Sequence, residues 1–253
     1  VVGASACGDR SFAWPKGKRA ALSLTFDDAR PSQIDRALPI LAAHAVKATF
    51  YVSPATVGAR LTAWRRAGAE GHEIGNHTLT HPCSGNFPWS RANALEEYSL
   101  AQIEAEIGGA NAEIEGLLGI RPVTFAYPCG QSFVGRGEGV SSYVPLVARS
   151  FLVGRGAFAE THNDPEFCDL AQVAACDADG LRFEGLKELV DRSLAQGGWL
   201  ILHAHEVGDG GRQTTYADAL EAVCGFGADS ANGLWVDTVE TIGRYVSDVR
   251  EGG

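Results

Sequence analysis

The sequence predicts an α/β fold, with parallel strands closed into one barrel-type domain, and three observations carry that prediction. Short apolar strands alternate with helical stretches about seven times, the pattern of parallel strands joined by crossover helices. No linker, low-complexity tract or internal repeat divides the chain, and its 253 residues suffice for one barrel with a full core. The residues with chemistry to offer are Asp27-Asp28, His77 with His81, Tyr127-Pro128-Cys129 and His205, and each stands just past a strand. That is where βα barrels collect their active groups.

In chain order, residues 1–19 are polar and Gly-rich and read as an N-terminal lead-in anchored at Trp14-Pro15, ahead of a domain spanning 20–250. The first strand covers 20–26, where Leu22, Leu24 and Phe26 alternate with Ala21, Ser23 and Thr25 to give two unlike faces. It runs into Asp27-Asp28. Successive strand residues point opposite ways, so two carboxylates serving one site require the strand to end there. A helix over 34–43 precedes a strand at 48–52, and a helix over 61–69 precedes a short strand at 73–74. Between 95 and 118, Leu100, Ile103, Ile107, Ile114 and Leu117 recur at helical spacing, with an interruption or bend expected at Gly108-Gly109. A strand at 123–126 ends at Tyr127-Pro128-Cys129-Gly130, and 144–153 reads as a helix end followed by a strand. The stretch 158–180 lacks periodicity and reads as an irregular excursion. A helix over 186–195 leads to a strand at 199–205, and a strand at 234–236 to a helix over 239–249.

An apolar content of 45% and a charged content of 21% are those of an ordinary soluble globular protein. No apolar run approaches membrane-spanning length. Acids outnumber bases 31 to 21, which argues against a nucleic-acid partner and suits a neutral or cationic substrate. The six cysteines form no CxxC pair, so zinc-ribbon and thioredoxin-like readings lack support. Their even number favours disulfides and an oxidising compartment, with buried free thiols in a cytosolic protein as the alternative. The chain begins at Val1 rather than methionine, as a processed or trimmed chain would, and a secreted, periplasmic or extracellular location is expected.

His77 and His81 stand at i and i+4, so one turn of helix would bring both imidazoles to one face, with Pro82 ending the turn. Two surface histidines that happen to fall four apart are the alternative. Together with Asp28 they form a three-ligand set with open positions, the pattern of a catalytic metal site. Asp27 beside them can serve as general base, and the end of the 199–205 strand offers His203 or His205 as an acid. A strand-end cap for the aspartates and satisfied strand-end histidines are the structural alternatives. Each is credible singly, and less so at matching strand ends.

Thr25-Phe-Asp-Asp28 and His77-Thr-Leu-Thr-His81-Pro82 resemble the first two motifs of the polysaccharide deacetylases, carbohydrate esterase family 4, with its NodB-homology domain. The resemblance runs from about Ala20 to the final helix and implies a distorted (β/α)7 barrel that removes acetyl groups from carbohydrate with a divalent metal. It implies Asp27 as catalytic base and Asp28, His77 and His81 as ligands of one ion, zinc first, with manganese, cobalt or nickel able to replace it. The third motif departs from the family form, an arginine before two prolines, an aromatic residue and glycine. Phe125-Ala-Tyr-Pro-Cys-Gly130 places Ala126 at the arginine position and Cys129 at the aromatic one. The Cys129 N–H, flanked by Tyr127 and Pro128, can still serve as an oxyanion donor. Arg155, in Phe151-Leu-Val-Gly-Arg-Gly156, resembles a position where relatives with a Tyr-Pro motif carry an arginine, so it either replaces the missing one or is an ordinary surface arginine. The fourth, tryptophan-bearing motif has no clear counterpart. In the last motif His203 follows Leu202 and His205 precedes Glu206; His205 is taken as the acid, with His203 as a supporting or substrate contact.

If these motifs converge on one metal, Cys83 and Cys129 share a rim and a Cys83–Cys129 disulfide is expected. Free thiols, Cys129 as a small apolar filler, and a Cys168–Cys176 clip are the alternatives. The implied function is N-deacetylation of an N-acetylglucosamine-containing glycan. O-acetyl esterase action on acetylated xylan or another plant glycan, and an inactive carbohydrate-binding descendant, are the competing readings. An acetylated carbohydrate is the expected partner of a monomeric protein, with the sugar chosen by loops around 83–95, 131–143 and 157–180.

Overall fold

Every residue of strand β1 (Ala20–Asp27) is buried, and its two faces enter different interiors. Leu22, Leu24 and Phe26 pack with helix residues such as Leu41, Leu186 and Leu220. Ala21 belongs to a separate cluster with Val153, Trp199, Ile201 and Ile242, and Ser23 on that face accepts a hydrogen bond from the Trp199 indole at 3.1 Å. Small residues on one face and large apolar ones on the other are what a narrow curled sheet covered by helices requires.

The computed structural model describes residues 12–252. Its further main strands are β2 (Thr49–Val52), β3 (Glu73–Asn76), β4 (Thr124–Ala126), β5 (Val153–Arg155), β6 (Cys176–Asp177), β7 (Trp199–Ala204) and β8 (Leu234–Val236). They lie in the order β5-β4-β3-β2-β1-β7-β6, all parallel, and β8 pairs with the start of β1. The sheet curls until its ends meet: Val173, just before β6, forms a parallel bridge with Arg155 of β5. The result is the distorted (β/α)7 barrel in a single domain. Helices α1 (Leu38–Ala43), α2 (Leu61–Ala69), α3 (Leu100–Leu118), α4 (Val144–Ser150), α5 (Phe183–Gln196), α6 (Ala217–Ala228) and α7 (Val239–Glu251) accompany the strands.

Two expectations are corrected, and one helix is added. The segment 158–180 is not wholly irregular, because it supplies β6, which pairs with Leu202 and His203 of β7; two residues are too few to show a period. The glycine pair does not interrupt α3, which runs unbroken from a Ser99/Gln102 capping box to a left-handed Gly119. Gly109 has a packing role, since a Cβ there would stand 2.6 Å from Leu79 Cδ1. Helix α6, rich in Ala and Gly, had no counterpart in the sequence reading.

Trp14 is a true anchor: its indole donates to the Gly197 carbonyl at 2.9 Å and stacks on Tyr245. Residues 1–11 of the lead-in, Cys7 among them, lie outside the described residues. The first turn of α7 is tied to β2 and β3. The Val239 N–H donates to Thr49 Oγ1 and the Glu240 N–H to Glu73 Oε2, both at 2.9 Å, and a carboxylate suits a helix N-terminus. Burial pushes the Glu73 carboxyl up to about 7. Among the described residues no helix is long and apolar enough to cross a membrane.

Candidate active site

Asp27 is the last residue of β1, and the chain leaves the strand through two left-handed residues, Asp28 (φ 72°) and Ala29 (φ 51°). That turn lets adjacent carboxylates serve one site, which a continuing strand would forbid. Gln33, fully buried in a π-helical turn (Gln33–Ala37) before α1, fastens the place. Its amide donates to the Asp27 carbonyl at 2.6 Å and to the His205 carbonyl at 3.0 Å, joining the ends of β1 and β7. Gln33 carried no sequence signal beyond its nearness to the aspartates.

His77 and His81 converge, but not on a helix. Residues 77–81 have no helical assignment, and Thr78 (φ 63°) and His81 (φ 54°) are left-handed. The turn is held by side chains: the Thr78 N–H donates to Asn76 Oδ1 at 2.7 Å and the His81 N–H to Thr78 Oγ1 at 3.1 Å. The two imidazole centroids end 4.7 Å apart. His77 Nδ1 donates to the Ala126 carbonyl at 2.9 Å, which leaves Nε2 as its ligand atom.

The ligand atoms of Asp28, His77 and His81 all lie within 4.8 Å of one another. Asp28 Oδ1 is 3.8 Å from His77 Nε2 and 3.6 Å from His81 Nε2. Bonds of about 2.0–2.2 Å in a tetrahedral site put ligand atoms roughly 3.3–3.6 Å apart, so the donor set fits a divalent ion. Arg30 occupies the other carboxylate oxygen, Asp28 Oδ2, at 2.9 Å. Burial works to raise the Asp28 pKa, but the two histidines outweigh it and hold the carboxyl below the ordinary range. Burial and the neighbouring His77 charge push His81 down to about 4, leaving it neutral as a ligand must be. A second cluster of His81, Cys83 and Cys129 is no ligand set, because the two sulfurs are bonded to each other.

That disulfide, Cys83–Cys129, has a Cα–Cα distance of 6.2 Å and joins the histidine loop to the third motif. Cys168 and Cys176 are both free thiols, so the alternative clip is not formed.

Asp27 is paired with Arg155, whose side chain is fully buried. Arg155 is therefore no surface residue. Its guanidinium also donates to the Gly156 carbonyl at 3.0 Å and lies over the Tyr51 ring, 4.8 Å from the centroid. Burial works to raise the Asp27 pKa, but Arg155 and the three histidines around it hold the carboxyl well below the usual range. The second oxygen, Oδ2, faces His77 Nε2 at 4.0 Å, beside the metal-competent cluster rather than within it.

The two histidines of the last motif are sharply different. His203 is fully buried and its Nε2 accepts from the Phe158 N–H at 3.3 Å, so a direct substrate contact is closed to it. Burial and the Arg155 charge push it down to about 3. His205 is partly exposed, and its Nδ1 is bonded to Asp179 Oδ2 at 2.7 Å. Burial works against its charged form, but the Asp179 hydrogen bond and the charges of Asp27, Asp179 and Asp28 together raise its pKa. Asp179, which also accepts from Thr215 Oγ1 at 2.8 Å, was missed in the sequence because it follows the two-residue β6. Tyr127 and Pro128 are buried, and the Tyr127 hydroxyl donates to the Ala171 carbonyl at 2.7 Å. They shape the loop that carries Cys129 (φ 53°) and are not surfaces for a substrate.

A curled parallel barrel with a carboxylate–bis-histidine cluster, a buried Arg–Asp pair and a His–Asp pair at its strand ends defines a hydrolase-like class of site. Residues 15–135, a little under half of the chain, match the family model described as polysaccharide deacetylase. A chitooligosaccharide deacetylase of Sinorhizobium fredii is 48% identical over 60 residues, covering 23% of this chain and 28% of that protein. The chain thus spans little more than a quarter of that relative's length. A Mycobacterium smegmatis protein assigned to the polysaccharide deacetylases superposes with TM-score 0.69 at 18% identity, covering 95% of this chain and 94% of that one. A family 4 acetyl xylan esterase of Clostridium thermocellum, solved with a cobalt ion, gives TM-score 0.58 at 21% identity over 89% and 91% of the two chains. At such identities the superpositions speak for the fold.

Proposed function

We propose that this protein is a metal-dependent carbohydrate deacetylase that hydrolyses the N-acetyl group of N-acetylglucosamine residues in a glycan. The observation that carries the reading is the convergence of Asp28, His77 and His81 beside the Arg155-paired carboxylate of Asp27. Those three residues would hold one divalent ion, zinc first, with manganese, cobalt or nickel as substitutes. Such an ion supplies an acidified water and polarises the acetyl carbonyl. Asp27, kept ionised by Arg155, takes the proton of the attacking water on Oδ2. The Cys129 N–H is the oxyanion donor, on a loop fixed by the disulfide. His205, whose charged form the Asp179 hydrogen bond favours, delivers a proton to the departing amine as the C–N bond breaks. His203, held neutral, supports the wall beside Phe158 and donates no proton to substrate. Two histidines at one strand end with pKa values driven apart are how such sites separate acid from bystander.

The intact Asp27, Asp28, His77, His81 and His205 weigh against a purely sugar-binding descendant. The disulfide supports a secreted or periplasmic location, where the protein acts as a monomer. An acetate-release assay comparing chitooligosaccharides with acetylxylan tests the substrate. Preference for the chitooligosaccharides is expected. Preference for acetylxylan would replace N-deacetylation by O-ester hydrolysis, and release from neither would overturn the reading.

A further inference from the structure

Beside the metal-competent cluster the surface carries a feature that the chemistry above does not use. Trp89 is 60% and Phe87 40% exposed. Their rings stack on each other, with centroids 5.4 Å apart and planes at 24°, and the Trp89 ring lies 5.9 Å from that of His81. Two large aromatics left in water forgo the stabilisation of burial, and contiguous exposed apolar surface of this kind marks a binding site.

The backbone beneath them is pinned. Ser90, fully buried between the loop and the disulfide, donates to the Cys83 carbonyl and accepts from the Cys83 N–H, both at 2.9 Å. The Phe87 N–H donates to the Ser84 carbonyl at 3.0 Å, and the Ser84 N–H to Gln131 Oε1 at 2.7 Å. The Gly85 N–H donates to Glu96 Oε2 at 2.9 Å. The platform is therefore built before any ligand arrives, which lowers the ordering cost of binding. Its rings are flat and uncharged, on a chain of net charge −10, a surface that disfavours polyanions and accepts a ring with an apolar face.

We propose that Phe87 and Trp89 form a stacking platform for the pyranose ring adjoining the acetylated residue, and so set the chain-length preference of the enzyme. The proposal rests on the deacetylase reading and adds its sugar-recognising residues. Trp89→Ala should raise KM for acetylated chitotetraose about tenfold, the loss of one well-placed aromatic contact, with the loss falling on KM rather than kcat. Phe87→Ala should do the same to a smaller extent. Trp89→Phe should recover most of the affinity, and Val249→Ala, trimming an apolar side chain that is 37% exposed on α7 and outside the sugar-facing loops, should leave KM unchanged. A KM within twofold of wild type for both Trp89→Ala and Phe87→Ala would overturn the platform. If the wild type released no acetate from any glycan, the deacetylase reading would fall, and binding would judge the platform alone. Chitotetraose quenching of indole fluorescence that disappears in Trp89→Ala would support it, and an absence of quenching would overturn it.

Discussion

Replacing Arg155 by methionine keeps most of the side-chain volume and deletes the charge that faces Asp27. Both partners are buried, Arg155 at 0% and Asp27 at 5% exposure, so solvent screens the pair little. Removing one member of a buried ion pair costs about 3–5 kcal/mol, because the other charge is left without compensation. For a chain of 253 residues, each kcal/mol lowers Tm by about 2–4 °C, so the expected fall at neutral pH is about 6–20 °C. The pH dependence has a definite sign. In the wild type the folded pKa of Asp27 is depressed; the pair therefore stabilises the fold above the unfolded value near 3.8 and is lost only as pH falls through the folded one. In Arg155→Met, burial dominates and the folded pKa rises above the unfolded value. The resulting penalty is full at high pH and disappears as pH falls and the carboxyl protonates. Differential scanning calorimetry of both proteins, stripped of metal by chelator, should show the gap widest near pH 8 and narrower toward pH 5. The double variant Asp27→Asn/Arg155→Met should be more stable than Arg155→Met alone. A gap below about 1 kcal/mol, or one independent of pH, would refute the pairing argument.

Asp27→Asn should keep its metal stoichiometry by elemental analysis and lose kcat by about 10²–10⁴-fold, because it removes the base and preserves the shape. His205→Ala should lower kcat more than His203→Ala; the opposite order in steady-state kinetics would move the acid to the buried residue. Since Asp179 helps to raise the His205 pKa, the alkaline limb of the kcat profile should shift to lower pH in Asp179→Asn. Replacing Cys83 and Cys129 together by serine opens a loop of 46 residues, and the chain-entropy relation puts the loss at about 4 kcal/mol by urea unfolding.

Much of the site was legible because its residue types have few other uses at strand ends. Asp28 with His77 and His81 suggested a candidate metal-binding set from residue chemistry, but the route to their convergence was hidden. A spacing of four suggests a helical turn, whereas Asn76 and Thr78 bond the backbone into left-handed bends, a competition of side chain with helix that spacing does not report. Arg155 could be placed at the end of β5 from the sequence, but its burial against Asp27 depends on barrel closure through Val173. Asp179 was illegible for the same reason: its meaning arises only when the two-residue β6 pairs with β7. Among the cysteines, the pair on converging motifs is bonded, while Cys168 and Cys176 share only a stretch of sequence.

Acetate release from acetylated chitooligosaccharides by metal-stripped protein, followed as zinc is titrated back, tests the central claim most directly. Activity should be absent at the start, rise with added zinc and saturate at one equivalent, and His77→Ala should show no such rise at that stoichiometry. Undiminished release by the stripped protein would contradict the assignment of Asp28, His77 and His81, and so would saturation unaltered in His77→Ala.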